Sequence, residues 1–444
     1  MIIYIPIEIF VRELPGYILL AITAVSRGHQ VMIASPSDIW LYKRLGLLKK
    51  GCYLLKNMNV PMASADIYNH FIDDGFDLYC QEQEAGILWE KFDDYLKEIN
   101  ITESQILPFK GVFCWGERDT FGYKSLFKKN QNIFFNTGSP RADIWNYKYN
   151  EYHRRDKNTK LTPYILFVSN LSMLIGENHF SEWMVTLDSL ELLLTDEHEA
   201  NWIKAVGDDL KIAISMILGI KFLANKYSNM KILLRPHPCD NVEYWKNIFN
   251  KNKNVQITNN IDSISPLISH AEVVIQNGCT SAMEAVLQGV PVISYGPDRV
   301  YSKLSVPNKL GIRARNNDEL DAAILMIKNG NYTEHNKNKM ILKPLINTEN
   351  SDSATAIVKI MESISKNNYD FKLNKRDGYK LIFARTLKNI IDNARTIISM
   401  NKYKTSVYQF NKKEIEKEIN TLSSIHGHQS PNVLVLCKSG IIIS

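Results

Sequence analysis

The sequence lacks the residue patterns of a zinc site, a disulfide framework and a membrane span. Its 444 residues include six cysteines, none in C-x-x-C or C-x-x-H spacing, which predicts free thiols in a reducing compartment. The longest apolar run, "IAISMILGI" at 212–220, is far shorter than the roughly 20 residues that cross a bilayer. No D-x-D pattern occurs. The sequence therefore gives no reason to expect a metal site or a membrane-spanning helix.

The sequence also lacks a large excess of basic over acidic residues, or of acidic over basic ones. The chain has 53 basic and 47 acidic residues, and the net charge of +6 is spread too evenly to predict a nucleic-acid partner. A weakly basic surface suits an anionic substrate or an anionic membrane. The apolar start "MIIYIPIEIFVRE" has no basic segment before it and is interrupted by Pro6, Glu8 and Arg12, unlike a secretory signal. We therefore expect a cytoplasmic protein.

Strand and helix patterns alternate along the chain. Residues 2–7 predict a buried strand, "GYILLAITAVSRG" a helix closed by Gly28, and "HQVMIAS" the next strand. The alternation recurs after residue 161 in "YILFVS", "KILLR", "EVVIQN" and "VPVISYG". Such alternation indicates parallel sheets covered on both faces. The predicted fold class is α/β, with two Rossmann-like domains facing a central cleft and helices at the C-terminal end.

Changes in composition place the predicted domain borders. The polar, proline-terminated "YHRRDKNTKLTP" separates the two alternating halves, and the pattern becomes helical after about residue 345. We expect Rossmann-like domains at 1–155 and 156–345 and a helical extension at 346–444. In the extension, "SDSATAIVKIMESISK" is expected to pack back on the first domain, and "KNNYDFKLNKRDGYK" to form a basic loop.

A histidine between two prolines follows the predicted strand at 231–235. Proline lacks an N–H group and fixes φ, so the strand must end at Arg235 and the turn through Pro238 must be rigid. His237 is therefore expected at the carboxyl end of a strand, which is where parallel sheets bind their ligands.

A second turn, "NGCTS" at 277–281, also follows a strand and precedes a helix. Amides at a helix N-terminus bind anions, although Ser281 and Glu284 also match a capping box that needs no ligand. Because both turns end strands of one parallel sheet, together they predict a metal-independent phosphate site. Its expected contacts are Arg235, His237, Gly278, Thr280 and Ser281.

Five segments together resemble the bacterial surface carbohydrate biosynthesis proteins, which are GT-B glycosyltransferase-like proteins related to the retaining Kdo transferases. The segments are "LRPHP", "NGCTSAMEAVLQGVPVISY", "IPIEIFVRELPGYILLA", "FCWGE" and "NTGSPRADIW", and the resemblance runs from the first residues to about 300. It implies a retaining transferase whose donor is an ulosonic acid activated by CMP, either Kdo or a sialic-like nonulosonic acid. The implied acceptor is a surface glycan, free or lipid-linked, and no further cofactor is implied.

The resemblance also implies roles for individual residues. His237-Pro238 and Thr280-Ser281 match the HP and Ser/Thr motifs that hold the CMP phosphate in sialyl and Kdo transferases of this fold. Glu284 matches the position that commonly faces the ribose. Asn170, after "YILFVS", is expected at the mouth of the second sheet, where it would contact donor or acceptor.

A retaining transferase that works by double displacement needs a carboxylate nucleophile and a second group that handles the acceptor proton. Candidates are Glu13 in the polar loop after the first strand, Glu117 with Asp119 in "WGERD", and the pair Glu82 and Glu84 in "CQEQEAG". The last segment is the nearest match to an acidic segment of the family, but its register differs. Which of these carboxylates acts is left open.

The sequence is also compatible with three other functions. A polyol-phosphate transferase and a nucleotide-sugar epimerase use the same architecture, although the usual acid cluster of the epimerase is not evident. A catalytically inactive scaffold of a polysaccharide assembly complex is the third.

A membrane partner is also considered, because basic residues follow the first C-terminal helix. They would favour peripheral attachment to the inner face of the cytoplasmic membrane, whereas the alternative is a solvated connector. These residues are Lys366, Lys372, Lys375, Arg376 and Lys380.

Overall fold

A computed structural model of the chain divides into two compact units. The first comprises Met1–Ala85, Leu96–Ile144 and Leu345–Ser444, and the second Gly86–Tyr95 and Trp145–Pro344. The structure describes residues 1–58, 62–83, 86–154, 163–171, 174, 184–185, 195–259, 262–300, 305–347, 352–365, 372–399, 410–437 and 440–444.

Six parallel strands form the centre of the first unit. They are β1 (Ile2–Pro6), β2 (Gln30–Ala34), β3 (Cys52–Leu55), β4 (Asp77–Gln81), β5 (Phe109–Cys114) and β6 (Phe134–Asn136). Their order is β2-β1-β3-β4-β5-β6, so the direction of winding reverses between β1 and β3. All side chains of β1, β2 and β3 are buried, as near-continuous apolar strands require when helices cover both faces.

Local sequence signals explain how helices of the first unit begin and pack. The Oγ atom of Ser35 accepts the N–H of Asp38 at 3.2 Å, and Pro36 occupies the first helical position. A Cβ atom on Gly16 would lie 2.8 Å from the backbone nitrogen of Arg141, so only glycine allows this close helix packing. The helices up to residue 144 are Phe10–Ser26, Pro36–Arg44, Met62–Asp73, Phe92–Ile99, Glu103–Ile106, Glu117–Leu126 and Pro140–Ile144, with a 3₁₀ segment at Lys128–Ile133.

Six parallel strands also form the sheet in the described part of the second unit. They are β7 (Tyr164–Val168), β8 (Lys231–Arg235), β9 (Val255–Ile257), β10 (Ala271–Gln276), β11 (Val292–Tyr295) and β12 (Ile312–Ala314). Their order is β9-β8-β7-β10-β11-β12, which is the Rossmann order, with the direction of winding reversing between β7 and β10. This order confirms the α/β fold class and makes the gap between β7 and β10 the expected ligand position.

Helices cover the second sheet and bury an apolar core that includes Phe167, Ile220, Leu234, Trp245 and Ile293. The described helices of this part of the chain are Asn150–His153, Asp196–Lys226, Val242–Ile248, Ser265–His270, Ser281–Leu287, Asn317–Lys328 and His335–Leu342, with 3₁₀ segments at Tyr147–Tyr149 and Val306–Lys309.

The prediction of a separate helical extension at 346–444 is wrong, because this segment completes the first unit. Its elements are Ser353–Ile364, Lys375–Ser399, Lys412–His426, β13 (Val433–Cys437) and β14 (Gly440–Ile443). β14 pairs antiparallel with β2, and β13 with β14, so the sheet has eight strands in the order β13-β14-β2-β1-β3-β4-β5-β6. The buried "GIII" strand covers the backbone edge that β2 would otherwise expose. The first unit also ends at Ile144, before the predicted border at 155.

The helix Ser353–Ile364 packs on the helix Phe10–Ser26, as predicted for "SDSATAIVKIMESISK". The carboxylate of Asp143 fixes its start by accepting the N–H of Ser353 at 2.8 Å and its hydroxyl at 3.0 Å. The predicted basic loop is wrong in its second half, because a helix begins at Lys375. Lys366 lies outside the described residues. No helix among the described residues is both long and apolar enough to span a bilayer.

Candidate functional site

The loops that follow β7, β8 and β10 meet at the carboxyl edge of the second sheet. The side-chain amide of Asn170, after β7, donates to the carbonyl of Gly278 at 3.0 Å. The hydroxyl of Ser169 donates to Asp240 in the loop after β8 at 2.6 Å. These two bonds join the three loops at the reversal point of the sheet, so the structure brings the RPHP and NGCTS turns to one edge, as the sequence predicts.

The His237 ring is oriented by its own turn. Its Nδ1 atom accepts the backbone N–H of Cys239 at 3.2 Å, so the neutral imidazole carries its proton on Nε2. The ring is half-buried, and Pro238 beside it is exposed. His237 thus carries an N–H donor at the ligand-binding edge of the sheet.

Asp240 fixes this turn, and its role was not predicted from the sequence. It is 3% exposed, and its Oδ2 atom accepts from Ser169 Oγ, from His237 N at 3.1 Å and from Trp245 Nε1 at 3.0 Å. From sequence alone, an aspartate after a proline turn is expected to be an ordinary exposed turn residue. Its partner Ser169 is distant in the sequence, so no local pattern indicates their hydrogen bond. Asp240 therefore positions His237 through the backbone.

We expect Asp240→Ala to lower the free energy of unfolding by about 1–3 kcal/mol, because buried donors of Ser169, His237 and Trp245 lose their common acceptor. Urea denaturation measures the change. Asp318→Ala, at an exposed helix position of the same unit, is the matched control and should leave the midpoint nearly unchanged. Equal midpoints for both variants would show that Asp240 does not fix the turn.

The NGCTS turn has an unsatisfied hydroxyl at its end. Gly278 adopts φ of +75°, which the turn requires, and its N–H donates to Asn308 Oδ1 at 2.8 Å. Ser281 is 2% exposed, and within the described residues its Oγ atom has no hydrogen-bond partner. Thr280 is the N-cap residue but makes no side-chain capping bond. The capping-box alternative is therefore not formed, and Ser281 has a buried hydroxyl without a partner among the described residues.

Two polar side chains around this turn were not predicted. Asn277 is buried, and its Oδ1 atom accepts from Arg299 Nε at 3.0 Å and from Asn308 Nδ2 at 3.1 Å. Arg299 also forms an ion pair with Asp209, whose pKa is raised by burial. These residues come from distant segments, so no local pattern could identify them.

Arg235 and Glu284 are buried and bonded to neighbouring loops of the second unit. Arg235 is 5% exposed and donates to the carbonyl of Pro236 and, at 2.9 Å, to that of Asp262; burial lowers its pKa. Glu284 is also buried, and its Oε1 atom accepts from Ser265 Oγ and from Gln288 Nε2 at 3.3 Å. Both residues therefore support the loops that carry His237 and Ser281.

The prediction of a loop at Glu13 is wrong, because Glu13 lies in the first turn of the helix Phe10–Ser26. This helix follows β1, where the order of the first sheet reverses, so Glu13 lies at the corresponding edge of the first unit. It is 1% exposed, and its Oε2 atom accepts the N–H of Glu8 at 3.0 Å. Within the described residues, Oε1 has no hydrogen-bond partner. A buried carboxylate oxygen without a donor at the reversal point of a parallel sheet is a candidate reactive group.

Other polar atoms lie near Glu13. Tyr17 is one helical turn further on, and burial, followed by the Glu13 charge, raises its pKa well above the ordinary value. The hydroxyls of Tyr17 and Ser139 are buried and, in the described part of the chain, have no hydrogen-bond partner. Arg141 Nη1 donates to the carbonyl of Gln83 at 2.7 Å. The oxygens of this polar cluster can accept hydrogen bonds from the hydroxyls of a bound molecule, and its hydroxyl groups can donate hydrogen bonds to them.

The other candidate carboxylates differ from Glu13. Glu117 is exposed at the first position of its helix. Glu84 lies outside the described residues. Its neighbour Glu82 is buried and accepts from the hydroxyl of Tyr123 at 3.2 Å. Burial raises the pKa of Asp119 to about 7, although its carboxylate accepts three backbone N–H groups of the turn after β5.

No cluster of three or more His, Cys, Asp or Glu side chains among the described residues has an arrangement that could hold a metal ion. The polar groups described at the two sheet edges include hydroxyls, an imidazole, side-chain amides, guanidinium groups and single carboxylates. The chemistry offered by this part of the chain is hydrogen bonding and proton transfer.

Comparisons with known proteins establish the fold class. Residues 203–359 match a family described as "Protein of unknown function (DUF354)", and no curated protein sequence matches the chain significantly. The structure of S. aureus MnaA with UDP aligns at 12% identity and a TM-score of 0.50, covering 84% of this chain and 99% of MnaA. With the two Rossmann-like units, this likeness assigns the chain to the GT-B class of α/β folds.

Two further structures align less well. The UDP-GlcNAc 2-epimerase from Methanocaldococcus jannaschii has a TM-score of 0.49 at 14% identity, covering 82% of this chain and 99% of that protein. The wall teichoic acid polymerase TagF has a TM-score of 0.41 at 12% identity, covering 82% of this chain and 89% of that one.

Proposed function

We propose that the protein is a glycosyltransferase that moves an ulosonic acid from a CMP-activated donor to a surface glycan, with retention of configuration. The observation that carries this proposal is the His237 N–H donor at the reversal point of a Rossmann sheet, at the same sheet edge as the turn that ends in the buried hydroxyl of Ser281. The GT-B fold and the resemblance of the sequence motifs support the same class of reaction.

The second unit would bind the CMP moiety. When the bond between phosphate and anomeric carbon breaks, negative charge grows on the phosphate oxygens, and a preorganised donor stabilises that charge. His237 Nε2–H is such a donor. A single phosphate needs few donors, so His237 and the Ser281 hydroxyl would serve without a divalent cation.

The first unit would bind the acceptor and supply the carboxylate of the reaction. The unsatisfied oxygens of Glu13, Tyr17 and Ser139 are groups that sugar hydroxyls satisfy. A carboxylate at this position takes the proton of an acceptor hydroxyl or attacks the anomeric carbon, and both steps need an ionised, unpaired oxygen. Among the described residues, Glu13 Oε1 is buried and has no hydrogen-bond donor, whereas Glu117 is exposed.

Calorimetric titration with CMP and with UDP, both in EDTA, tests the donor class. We expect binding of CMP to be tighter than that of UDP, because the site offers donors for one phosphate group. A preference for UDP would instead favour the nucleotide-sugar epimerase, and binding of neither nucleotide would favour the inactive scaffold. Binding of CMP that appears only after Mg²⁺ is added would refute the metal-independent site.

A further inference from the structure

The helix Lys375–Ser399 has one face fixed against the first unit. A Cβ atom on Gly378 would lie 2.6 Å from Leu434 Cδ2, and Leu381 is fully buried. The guanidinium of Arg385 forms an ion pair with the buried carboxylate of Asp38 at 2.9 Å. These contacts determine which side of the helix faces outward.

The outward side combines aromatic and basic residues. Tyr379, Phe383 and Leu387 are spaced four residues apart and are 67%, 71% and 48% exposed. Arg376 and Lys380 are also exposed. They lie on the same side of the helix, because each residue turns the helix by roughly 100° and all five side chains then fall within an arc of about 100° around its axis. We name these five residues the basic-aromatic face.

Exposed aromatic rings beside cationic side chains fit one environment particularly well. Rings enter the boundary between lipid headgroups and acyl chains, while Lys and Arg bind the anionic headgroups beside them. An acidic protein surface would pair with the charges but would leave the three apolar side chains without a partner. Exposed Lys372 and Lys375, next to the face, add to its positive charge.

We propose that the basic-aromatic face docks the protein on an anionic lipid bilayer, with the helix parallel to the membrane plane. The apolar side chains insert at the interfacial level, and the basic side chains contact headgroup phosphates. This inference goes beyond the proposed transferase and does not depend on it, because it rests on a surface remote in sequence from His237 and Glu13.

Sedimentation of the full chain with vesicles tests this proposal. We expect binding to vesicles of phosphatidylcholine with one-third phosphatidylglycerol, and far weaker binding to phosphatidylcholine alone. Arg376→Gln and Lys380→Gln should each lower the partition coefficient about five-fold, and this part of the binding should weaken at higher salt. Phe383→Ser should lower it about ten-fold or more, with less dependence on salt.

Matched controls lie elsewhere on the surface. Phe121→Ser removes an aromatic ring that is 75% exposed, and Lys246→Gln removes an exposed charge; neither should change vesicle binding. Circular dichroism checks that every variant is folded. Absence of binding to anionic vesicles overturns the proposal, as does an equal loss in face and control variants. A dimer that dissociates in Phe383→Ser would also overturn it, since a second copy would then cover the face.

Discussion

Replacement of His237 with alanine should lower the turnover of sugar transfer by about 10²- to 10³-fold and leave the protein folded. The loss follows from removing the Nε2–H donor, whose hydrogen bond strengthens as charge develops on the departing phosphate. Because the contribution belongs to the transition state, kcat should fall more than the affinity for CMP. The fold should survive because the ring is half-buried at a strand end and is not part of the apolar core.

His270→Ala is the matched control for this experiment. His270 is also half-buried in the second unit, but it precedes β10 and therefore lies at the amino edge of the sheet. Steady-state transfer and thermal unfolding, measured on both variants, separate the roles. Near-normal turnover in His237→Ala would show that the phosphate assignment is wrong, whereas loss of cooperative unfolding would make the histidine structural.

The second large effect is expected for Glu13→Gln, with transfer reduced about 10²- to 10⁴-fold and CMP binding unchanged. Glutamine keeps an acceptor for the Glu8 N–H but cannot take a proton or act as a nucleophile. CMP binding should persist because it is assigned to the second unit. Transfer rates and calorimetric CMP titration therefore give different results for this variant.

Glu8→Gln provides the control, because Glu8 is exposed and paired with Lys56 near the same loop. It should transfer at close to the normal rate. If Glu13→Gln retains full activity while Glu8→Gln does not, the active carboxylate is misassigned. If both are fully active, the reaction uses a carboxylate elsewhere, and Glu117 is then the next variant to examine.

Much of the architecture could be predicted because buried parallel strands appear as local apolar runs. "YILFVS" and "KILLR" needed only their own residues to be recognised as β7 and β8. The position of "GIII" could not be predicted in this way, since its partner β2 is at the other end of the sequence. Whether two strands so far apart in the sequence pair depends on which edge of the sheet is still unpaired. A local sequence pattern carries no information about that edge.

The candidate site likewise contains some features that local sequence predicts and others that it does not. The prolines around His237 restrict the backbone locally, so the end of the strand and the exposure of the turn could be predicted. Asp240 and Asn277 could not, because their partners come from distant loops. The bond from Ser265 to the Glu284 carboxylate could not be predicted either, because Ser265 lies outside the motif.

The pairing of β14 with β2 also affects folding during synthesis. Strand β2 emerges early from the ribosome, but its neighbour at Gly440–Ile443 emerges only after the whole second unit has been made. The edge of β2 is therefore open throughout that interval, which is the condition under which strands pair with other chains. The second unit, whose sheet is formed by residues 164–314, can fold in the meantime. Chaperones that cover exposed strand edges would thus be needed mainly by the first unit.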